Sequence, residues 1–546
     1  MTLNKVTRYK MSVDAVPWGT RVAYVLAPAL VFMAPFLSFL NYQDYDLTSS
    51  EAFYAGGIIL AVGILLGAIL ALRPHTLGQI LLVACVLVSL DMGFSSFQIH
   101  ALVRPDGSHW SVLIWHWALV IGLLVGARVL YRHFSVIMLT VFTAACGAAI
   151  VIPGPSQTRG VVLERAVEAK TSKGLIIHLV LDEFMGIEGI PTDIAGGKAL
   201  REDLKQFFLE SGFQLHGGAF SYSSETQHAV AALLNGQFFP TKETAFERLD
   251  GTSTWQLRRN AWFEQMAADG YTIQVFENTY AGYCEEENVR IELCEVFPAN
   301  SVNYLENLEL SDQDKAKVIL SAFIELSSVT ESLRDIAKLP LYRLGPFFME
   351  EALGRVGQRA AKSKPGQLMF AHILSPHYSY VYEADCEVKL DGDTWINRYL
   401  PFRDENEAIN TPNSRMERYQ AYFAQARCTQ RQLQAFFGHL RSTGRYDEAT
   451  IIVHGDHGSR ISIWNPVIEH KARLSDRDII DNFSVLYAVK QPGVSPAYKS
   501  AVRSIQALFA ETFLNKPLHV EPAGIFLRGG PTNDGDLLRK FPDFGT

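Results

Sequence analysis

Three apolar runs in the chain each end in side chains that can bind a metal ion. They are Leu175–Leu181 followed by Asp182 and Glu183, the run around Met369 with His372 and His377 at its end, and Ile451–Val453 followed by Asp456 and His457. A divalent cation suits such a mixture, because carboxylate oxygens offset its charge and a neutral imidazole adds a nitrogen ligand. Each pair alone could equally begin a solvated loop or form a turn, so the metal interpretation depends on the three pairs meeting.

The segments around these residues read as alternating strands and helices. The strand-like segments are GLIIHLVLDE, GQLMFAHILSPH, ATIIVHGDHG and DNFSVLYAVKQPG, and the helical ones are KALREDLKQFFLESG, ended by Gly212, and Met416–Leu440, followed by Gly444. Apolar strands separated by helices indicate a mostly parallel sheet that is covered on both faces. Because ligands of such sheets gather beyond the carboxyl ends of the strands, we expect the three polar pairs to meet there.

The first third of the chain consists of apolar stretches that are long enough to cross a bilayer. We predict about five membrane helices, near Arg21–Leu40, Phe53–Leu72, Leu77–Phe94, Ser111–Tyr131 and Phe134–Ile152. Each has about the ~20 residues that a spanning helix needs. A cleaved signal peptide would explain the first stretch alone, but its apolar run is too long and four further runs follow.

Positive charge is concentrated in alternate loops of this region. One set of loops holds Lys5, Arg8, Lys10, Arg21, Arg73, Arg128 and Arg132, and the opposite set holds Asp44, Asp46 and the single Arg104. Since basic residues mark the cytoplasmic side, we expect the N-terminus inside and, after an odd number of spans, the rest of the chain outside the inner membrane. The predicted organisation is a transmembrane domain at 1–153, a polar linker at 154–174 that could hold a short helix, and an extracytoplasmic domain at 175–546.

Cysteine usage agrees with this placement. Two cysteines fall within the predicted spans, whereas Cys284, Cys294, Cys386 and Cys428 lie in the exported part, where an even number suggests disulfides. Three pairings are open. Cys284 with Cys294 would close a short loop and leave Cys386 with Cys428, and four free thiols are the alternative.

Four short segments, taken in order, resemble the alkaline phosphatase superfamily. They are LVLDE, TQHAVAALLNG, HILSPHYSY and GDHGSR. The resemblance is closer to its membrane-anchored, sulfatase-like branch, which contains the lipoteichoic acid synthases and phosphoethanolamine transferases of the bacterial envelope. That branch has five membrane helices and an extracytoplasmic α/β catalytic domain with a sulfatase-like sheet, so the same layout is expected here, in a bacterial inner membrane.

The resemblance also implies a role for each matching residue. It implies metal ligands at Asp182, Asp456 and His457, with Glu183 as a candidate second ligand. It also implies a nucleophile that is itself a ligand at Thr226, ten residues before Gly236, a phosphate-binding or proton-donating histidine at His377, and a substrate contact from His372. Arg460, a candidate substrate-binding residue, and His228 lie near these motifs and could contact a phosphate, but only their proximity in the sequence suggests it. The proline that follows this histidine motif in the family is missing after His377, and His372 could instead be a buried strand histidine.

The residues around Thr226 bear on the reaction. Sulfatases carry a cysteine or serine in a C/S-x-P-x-R motif, whereas Thr226 is followed by Gln-His-Ala-Val, so sulfate ester hydrolysis is not expected. A threonine hydroxyl bound to a cation can attack phosphorus and hold the phosphoryl group covalently. The alternative is that Thr226 only begins a helix, as Ser and Thr often do.

These features predict a metal-dependent transferase that moves a phospho-headgroup, of phosphoethanolamine or phosphoglycerol type, from a membrane phospholipid to an envelope glycan or lipid. Two alternatives are a sulfatase-like phosphodiesterase that uses water, and a non-catalytic envelope-assembly protein. We expect one divalent metal, with zinc ranked ahead of manganese or magnesium. The formal net charge of −8 gives no indication of a nucleic-acid partner.

Overall fold

The chain divides into two compact units, Met1–Ser156 with Phe323–Leu333 and Gln157–Ala322 with Arg334–Thr546. The computed structural model describes residues 18–72, 76–96, 109–130, 133–152, 162–165, 169, 173–237, 246–248, 255–286, 288–327, 330, 342–397, 408–514, 524–529 and 537–544.

Helices form most of the described part of the first unit's N-terminal segment. They are α1 (Trp18–Tyr42), α2 (Ser50–Leu72), α3 (Thr76–Ser96), α4 (His109–Val129) and α5 (Phe134–Val151). Among the described residues, α1, α2 and α5 are long and apolar enough to cross a membrane, and the apolar segments within α3 and α4 are shorter. The chain therefore has apolar helices suited to membrane anchoring, and the predicted number of five spans is not confirmed.

Glycines bring the backbones of α1 and α2 into contact. A Cβ atom at Gly63 would lie 2.4 Å from the Cα of Ala29, and one at Gly67 would lie 2.1 Å from the carbonyl oxygen of Val25. Small residues permit this approach between membrane helices, where packing replaces the hydrophobic effect as the driving force. On other faces α2 exposes large apolar side chains, which are Phe53, Ile58, Val62, Leu65 and Ile69.

A nine-stranded sheet, counted over the described residues, forms the centre of the second unit. Its strands, in spatial order, are β1 (Val162–Glu164), β9 (Leu293–Phe297), β7 (Thr272–Asn278), β10 (Gln367–Ile373), β2 (Ile176–Leu181), β11 (Thr450–Gly455), β12 (Tyr487–Lys490), β3 (Gln214–His216) and β13 (Ala497–Lys499). The run β9-β7-β10-β2-β11 is parallel, and β1 and β12 pair antiparallel with its two edges. The expected mostly parallel sheet is confirmed.

The remaining described elements of the second unit lie outside this sheet. The shorter strands are β4 (Ala219–Phe220), β5 (Phe246–Arg248), β6 (Trp255–Leu257), β8 (Ala281–Gly282), β14 (Arg503–Ser504), β15 (Gly524–Leu527) and β16 (Leu537–Lys540). The helices, continuing the numbering, are α6 (Gly197–Glu210), α7 (Thr226–Asn235), α8 (Ala261–Ala268), α9 (Asp312–Ile324), α10 (Met349–Ala361), α11 (Pro412–Ser442), α12 (Asp476–Phe483) and α13 (Ile505–Phe509).

Alternate side chains of β2 enter two cores on opposite faces of the sheet. Ile177, Leu179 and Leu181 pack on the face that carries α6, α10 and α11. Ile176 and Val180 pack on the other face, with α7, α8 and α13. Because successive side chains of a strand point to opposite faces, an unbroken apolar run is what a sheet covered on both sides requires.

Two local predictions differ from the structure. Val162–Glu164, in the linker expected to hold a short helix, forms β1 and pairs with Leu293–Glu295. That strand covers the outer edge of the sheet, which accounts for its extended backbone. In DNFSVLYAVKQPG only Tyr487–Lys490 is a strand, and its first three residues end α12.

Two disulfides join the four cysteines that lie outside the predicted membrane spans. Cys284 bonds to Cys294 and Cys386 bonds to Cys428, while Cys85 and Cys146 are free and buried.

Candidate active site

The register of the parallel strands brings the predicted polar pairs to one edge of the sheet. Leu181 is aligned with both Ile373 and Gly455, so the residues after β2, β10 and β11 emerge side by side. The backbone N–H of Glu183 donates a hydrogen bond of 3.0 Å to Oδ1 of Asp456, which ties the first strand end to the last. The carboxyl ends of these strands therefore bring the predicted polar residues together.

Two glycines let the chain turn sharply around Asp456 and His457. A Cβ at Gly455 would lie 2.3 Å from the carbonyl oxygen of Phe184, and one at Gly458 would lie 2.5 Å from that of Asp481. Real Cβ contacts are not this short, so neither position accepts a side chain without backbone movement. The end of α12 holds the same turn, because the Gly458 N–H donates to the carbonyl of Asn482 at 2.9 Å.

Asp182, Asp456 and His457 form a buried cluster at the centre of the site. The Nε2 atom of His457 lies 3.7 Å from Oδ1 of Asp182 and 3.2 Å from Oδ2 of Asp456. One potential ligand atom from each of the three lies within 4.8 Å of the others. Burial, and then the neighbouring Asp182, raises the pKa of Asp456, since two close carboxylates are costly without a cation. Two carboxylates and an imidazole are donors that a divalent metal accepts, so the residues present fit one.

Thr226 is the first residue of α7 and points at this cluster. Its Oγ1 donates a hydrogen bond of 2.7 Å to Oδ2 of Asp456 and lies 3.3 Å from Nε2 of His457. The helix cap is Glu225, whose side chain makes no capping hydrogen bond. The Thr226 hydroxyl is thus directed at the acidic cluster. It does not cap the helix, which was the alternative role considered for this residue.

Glu183 has different partners from Asp182, although the two are adjacent in sequence. Its φ of 63° turns the chain into the left-handed region, and Arg460, with a φ of 56°, lies opposite it. The Nε and Nη2 atoms of Arg460 donate to Oε1 of Glu183 at 3.2 and 3.0 Å. The Nε2 atom of His377 lies 3.7 Å from the same oxygen. Glu183 therefore joins Asp182 and His377 in a second group of potential ligands.

His372 is buried in β10 and also contacts the cluster. Its Nε2 lies 3.6 Å from Oδ2 of Asp182, and its Nδ1 lies 3.1 Å from the hydroxyl of Tyr283. Burial lowers the pKa of His372 to about 4, so its imidazole is neutral at neutral pH. The two sequence alternatives for this residue, a buried strand histidine and a site residue, describe the same side chain.

Two residues that contact this site were not predicted from the sequence. Asn278, the last residue of β7, donates from Nδ2 to the carbonyl of His372 at 3.1 Å, and Tyr283 faces the His372 ring. The run TIQVFEN ends in a polar residue like the other strands, a signal that could have pointed to Asn278. His228, which proximity alone suggested, is buried in α7, and its carbonyl accepts a hydrogen bond from Tyr222.

The fold and these contacts define a class of enzyme. Carboxylates and imidazoles at the ends of parallel strands, facing a hydroxyl at a helix N-terminus, are the components of metal-dependent phosphoryl or sulfuryl transfer. The sulfatase family model matches residues 214–478, a span that begins after Asp182 and Glu183 and contains the other predicted site residues. Residues 214–478 therefore form a sulfatase-like phosphotransferase or hydrolase domain, and this match agrees with the resemblance to the alkaline phosphatase superfamily seen in the motifs. Enzymes of this superfamily use divalent metals, in agreement with the donor set found here.

Solved structures similar to this chain include three with sequence identities of 13% or less. A protein in the alkaline phosphatase superfamily from Vibrio parahaemolyticus is 13% identical, covers 67% of this chain and 75% of its own, and has a TM-score of 0.36. The lipoteichoic acid synthase LtaP from Listeria monocytogenes is 12% identical, the match covers 63% of this chain and 75% of that protein's chain, and the TM-score is 0.35. The C-terminal periplasmic domain of EcEptC from Escherichia coli is 8% identical, the match covers 69% of this chain and 94% of that domain, and the TM-score is 0.37. Likenesses this distant assign no substrate. A comparison with curated proteins found no significant match.

Proposed function

We propose that the chain is a membrane-anchored, metal-dependent transferase that moves a phospho-headgroup from a membrane phospholipid to an envelope glycan or lipid through a covalent intermediate on Thr226. The observation that carries this proposal is the 2.7 Å hydrogen bond from the Thr226 hydroxyl to Asp456, within a buried cluster of metal-type ligands. A sulfatase would need an aldehyde precursor at this position, and threonine is not one.

Asp182, Asp456 and His457 would hold the metal, together with the Thr226 hydroxyl. A bound divalent cation would lower the pKa of that hydroxyl and offset charge on the phosphoryl oxygens. The donor set suits zinc first, and manganese or magnesium also accept it. The position of Thr226 at a helix N-terminus adds a favourable partial charge for a phosphate.

The chain's own side chains would divide the remaining work. Oγ1 of Thr226 loses its proton to solvent water, which returns it when Thr226 is released, and bonds to phosphorus, while the bond from phosphorus to the diacylglycerol oxygen breaks. The departing oxygen takes a proton, for which His377 is the donor, and Arg460 lies beside Glu183 where it can contact a phosphate oxygen. In the second half-reaction an acceptor hydroxyl attacks phosphorus, passes its proton to the histidine and releases Thr226.

The anchor supports a lipid donor. We place the transmembrane domain at 1–153 with five spans, the linker at 154–174 and the catalytic domain at 175–546 on the extracytoplasmic side of a bacterial inner membrane. The basic residues of the alternate loops support this orientation. A catalytic domain held at the bilayer can reach headgroups without extracting the lipid.

Mass spectrometry of the Thr226 peptide tests the proposal. The purified full chain, loaded with zinc, is incubated with vesicles that contain phosphatidylethanolamine and phosphatidylglycerol, and the peptide is then weighed. A phospho-headgroup mass on Thr226, absent in Thr226→Val, is the expected result. Release of free phospho-headgroup to water without any acceptor product would instead identify a phosphodiesterase, and neither adduct nor product would reject both functions.

A further inference from the structure

The loop that carries His377 is bound to one turn of α11. Gln425 is fully buried on this helix, and its amide contacts the loop on both sides of the histidine. Its Oε1 accepts a hydrogen bond of 2.8 Å from the N–H of Val381. Its Nε2 donates to the carbonyl oxygens of Pro376 at 3.1 Å, of His377 at 2.6 Å and of Ser379 at 3.3 Å. A single side chain therefore holds the loop backbone before, at and after His377.

Two neighbours on α11 attach the loop at points further from His377. Thr429 lies one turn after Gln425, and its hydroxyl is 2.9 Å from that of Ser375. Cys428 is bonded to Cys386. Since residues three and four apart share one face of a helix, the three side chains form a continuous strip against the loop.

The strip matters because the loop itself is irregular. His377 follows the end of β10, so no ladder of strand hydrogen bonds fixes its backbone, and its side chain remains 17% exposed beside Glu183. A buried amide with all its hydrogen-bonding groups in use is costly to remove, because the loop carbonyls would lose their donor inside the protein. These hydrogen bonds hold the backbone of the loop, so they fix the position of the His377 Cα from which the imidazole extends.

We propose that Gln425 is a positioning residue for the transfer reaction, which acts by holding the backbone of His377 so that its imidazole faces the site. This inference rests on the proposed role of His377 as proton donor. Gln425 itself lies behind the loop and touches neither the acidic cluster nor Thr226 in any contact among the described residues.

Two variants of Gln425 separate positioning from folding. Gln425→Met removes both the donor and the acceptor, and Gln425→Glu keeps the acceptor for Val381 but removes the donor. The matched control is Gln434→Met, an exposed glutamine on the same helix. A displacement of the histidine by about 1 Å would lower kcat by roughly 100-fold, with a much smaller effect on KM.

Hydrogen exchange and kinetics on the full chain form the test. We expect both Gln425 variants to speed amide exchange within residues 377–382, to leave exchange in β2 and β11 unchanged, and to lower kcat, whereas Gln434→Met does none of these. In a His377→Ala background, Gln425→Glu should cause no further loss of kcat, because the residue it positions is gone. If Gln425→Met does not fold, the Gln425→Glu data decide alone.

Three outcomes would overturn the inference. Unchanged exchange within 377–382 would mean that Gln425 does not hold the loop. An undiminished kcat in both variants, with His377→Ala impaired, would separate Gln425 from the reaction while leaving the proposed function in place. Full additivity of the two substitutions would show that Gln425 acts elsewhere. Failure of the wild-type protein to form any Thr226 adduct or product would reject the proposed function, and the exchange data would still report on the loop.

Discussion

Oγ1 of Thr226 donates a hydrogen bond of 2.7 Å to Oδ2 of Asp456, across 230 residues of sequence. The bond joins the start of a helix on one face of the sheet to the end of a central strand. It places a hydroxyl against a carboxylate whose pKa is raised by burial and by Asp182.

Replacement of Thr226 by valine should abolish transfer with little change in folding. Valine keeps the shape of the side chain and removes only the hydroxyl, so we expect a loss in kcat on the order of 10⁴-fold or more, as for other nucleophile deletions. The lost hydrogen bond is worth about 1 kcal/mol, which shifts Tm by a few degrees at most. Turnover with a phospholipid donor and a thermal melt measure the two effects, and Thr226→Ser, which restores the hydroxyl, should recover part of the activity.

Replacement of Asp456 by alanine should empty the metal site. The variant loses one of the three clustered ligands, so we expect its metal affinity to fall by more than about 100-fold, beyond the range for outer contacts. Metal content after dialysis, measured by plasma mass spectrometry, reports the result. Asp476→Ala, at an acid whose side chain is 72% exposed, is the control. Equal metal content in the two variants would contradict the assignment of Asp456 as a ligand.

Glu277 should make stability depend on pH. Its buried carboxylate accepts hydrogen bonds from the backbone N–H groups of Tyr283 and Cys284, yet burial raises the pKa of Glu277 to about 7. An unfolded glutamate has a pKa of about 4.3, so the folded state binds the proton more tightly. The stabilisation is full below pH ~4 and is lost as pH rises to about 7.

Glu277→Gln mimics the protonated acid and should remove this dependence. We expect the Tm of the variant minus that of the wild type to increase between pH 4 and 7 and to level off above. Glu309→Gln, at an exposed acid that is not among the groups that shift the pKa of Glu277, should show no such trend. A Tm difference that is constant with pH would mean that Glu277 titrates at its ordinary value.

Removal of the two disulfides should have unequal effects. The bonded cysteines are 42 residues apart for Cys386 and Cys428 and 10 apart for Cys284 and Cys294. The chain-entropy model gives about 4 and about 3 kcal/mol for loops of these lengths. Double serine variants of each pair, melted under the same conditions, should therefore both lose stability, with the larger loss for the 386–428 pair. The opposite order would show that the native contacts around the bonds outweigh loop entropy.

Residues that end apolar runs could be predicted from the sequence, whereas residues that support them could not. Asp182, Asp456 and His457 can be recognised because they follow apolar runs, and the parallel register of the strands brings them together. Thr226 could be identified as a site residue only through the motif resemblance, because nothing in its own segment indicates which strand ends it faces. Gln425 sits mid-helix, and only the path of the His377 loop in space gives it a role.

The order of the strands in the sheet explains why Asn278 and β1 were not predicted from the sequence. Asn278 reaches His372 because β7 is next to β10, although about ninety residues separate them along the chain. Sequence periodicity identifies strands but does not rank their neighbours. The β1 strand was missed for a related reason, since three residues become extended only because the edge of β9 is there to pair with them.

The glycine contacts between α1 and α2 have a consequence for the surrounding lipid. With the backbone at Gly63 and Gly67 pressed against Ala29 and Val25, even one added side-chain carbon would clash, so no acyl chain fits between the two helices at these positions. In a membrane the pair would therefore displace lipid as one body, and phospholipids would meet its exposed apolar side chains, such as Phe53, Val62 and Leu65 of α2.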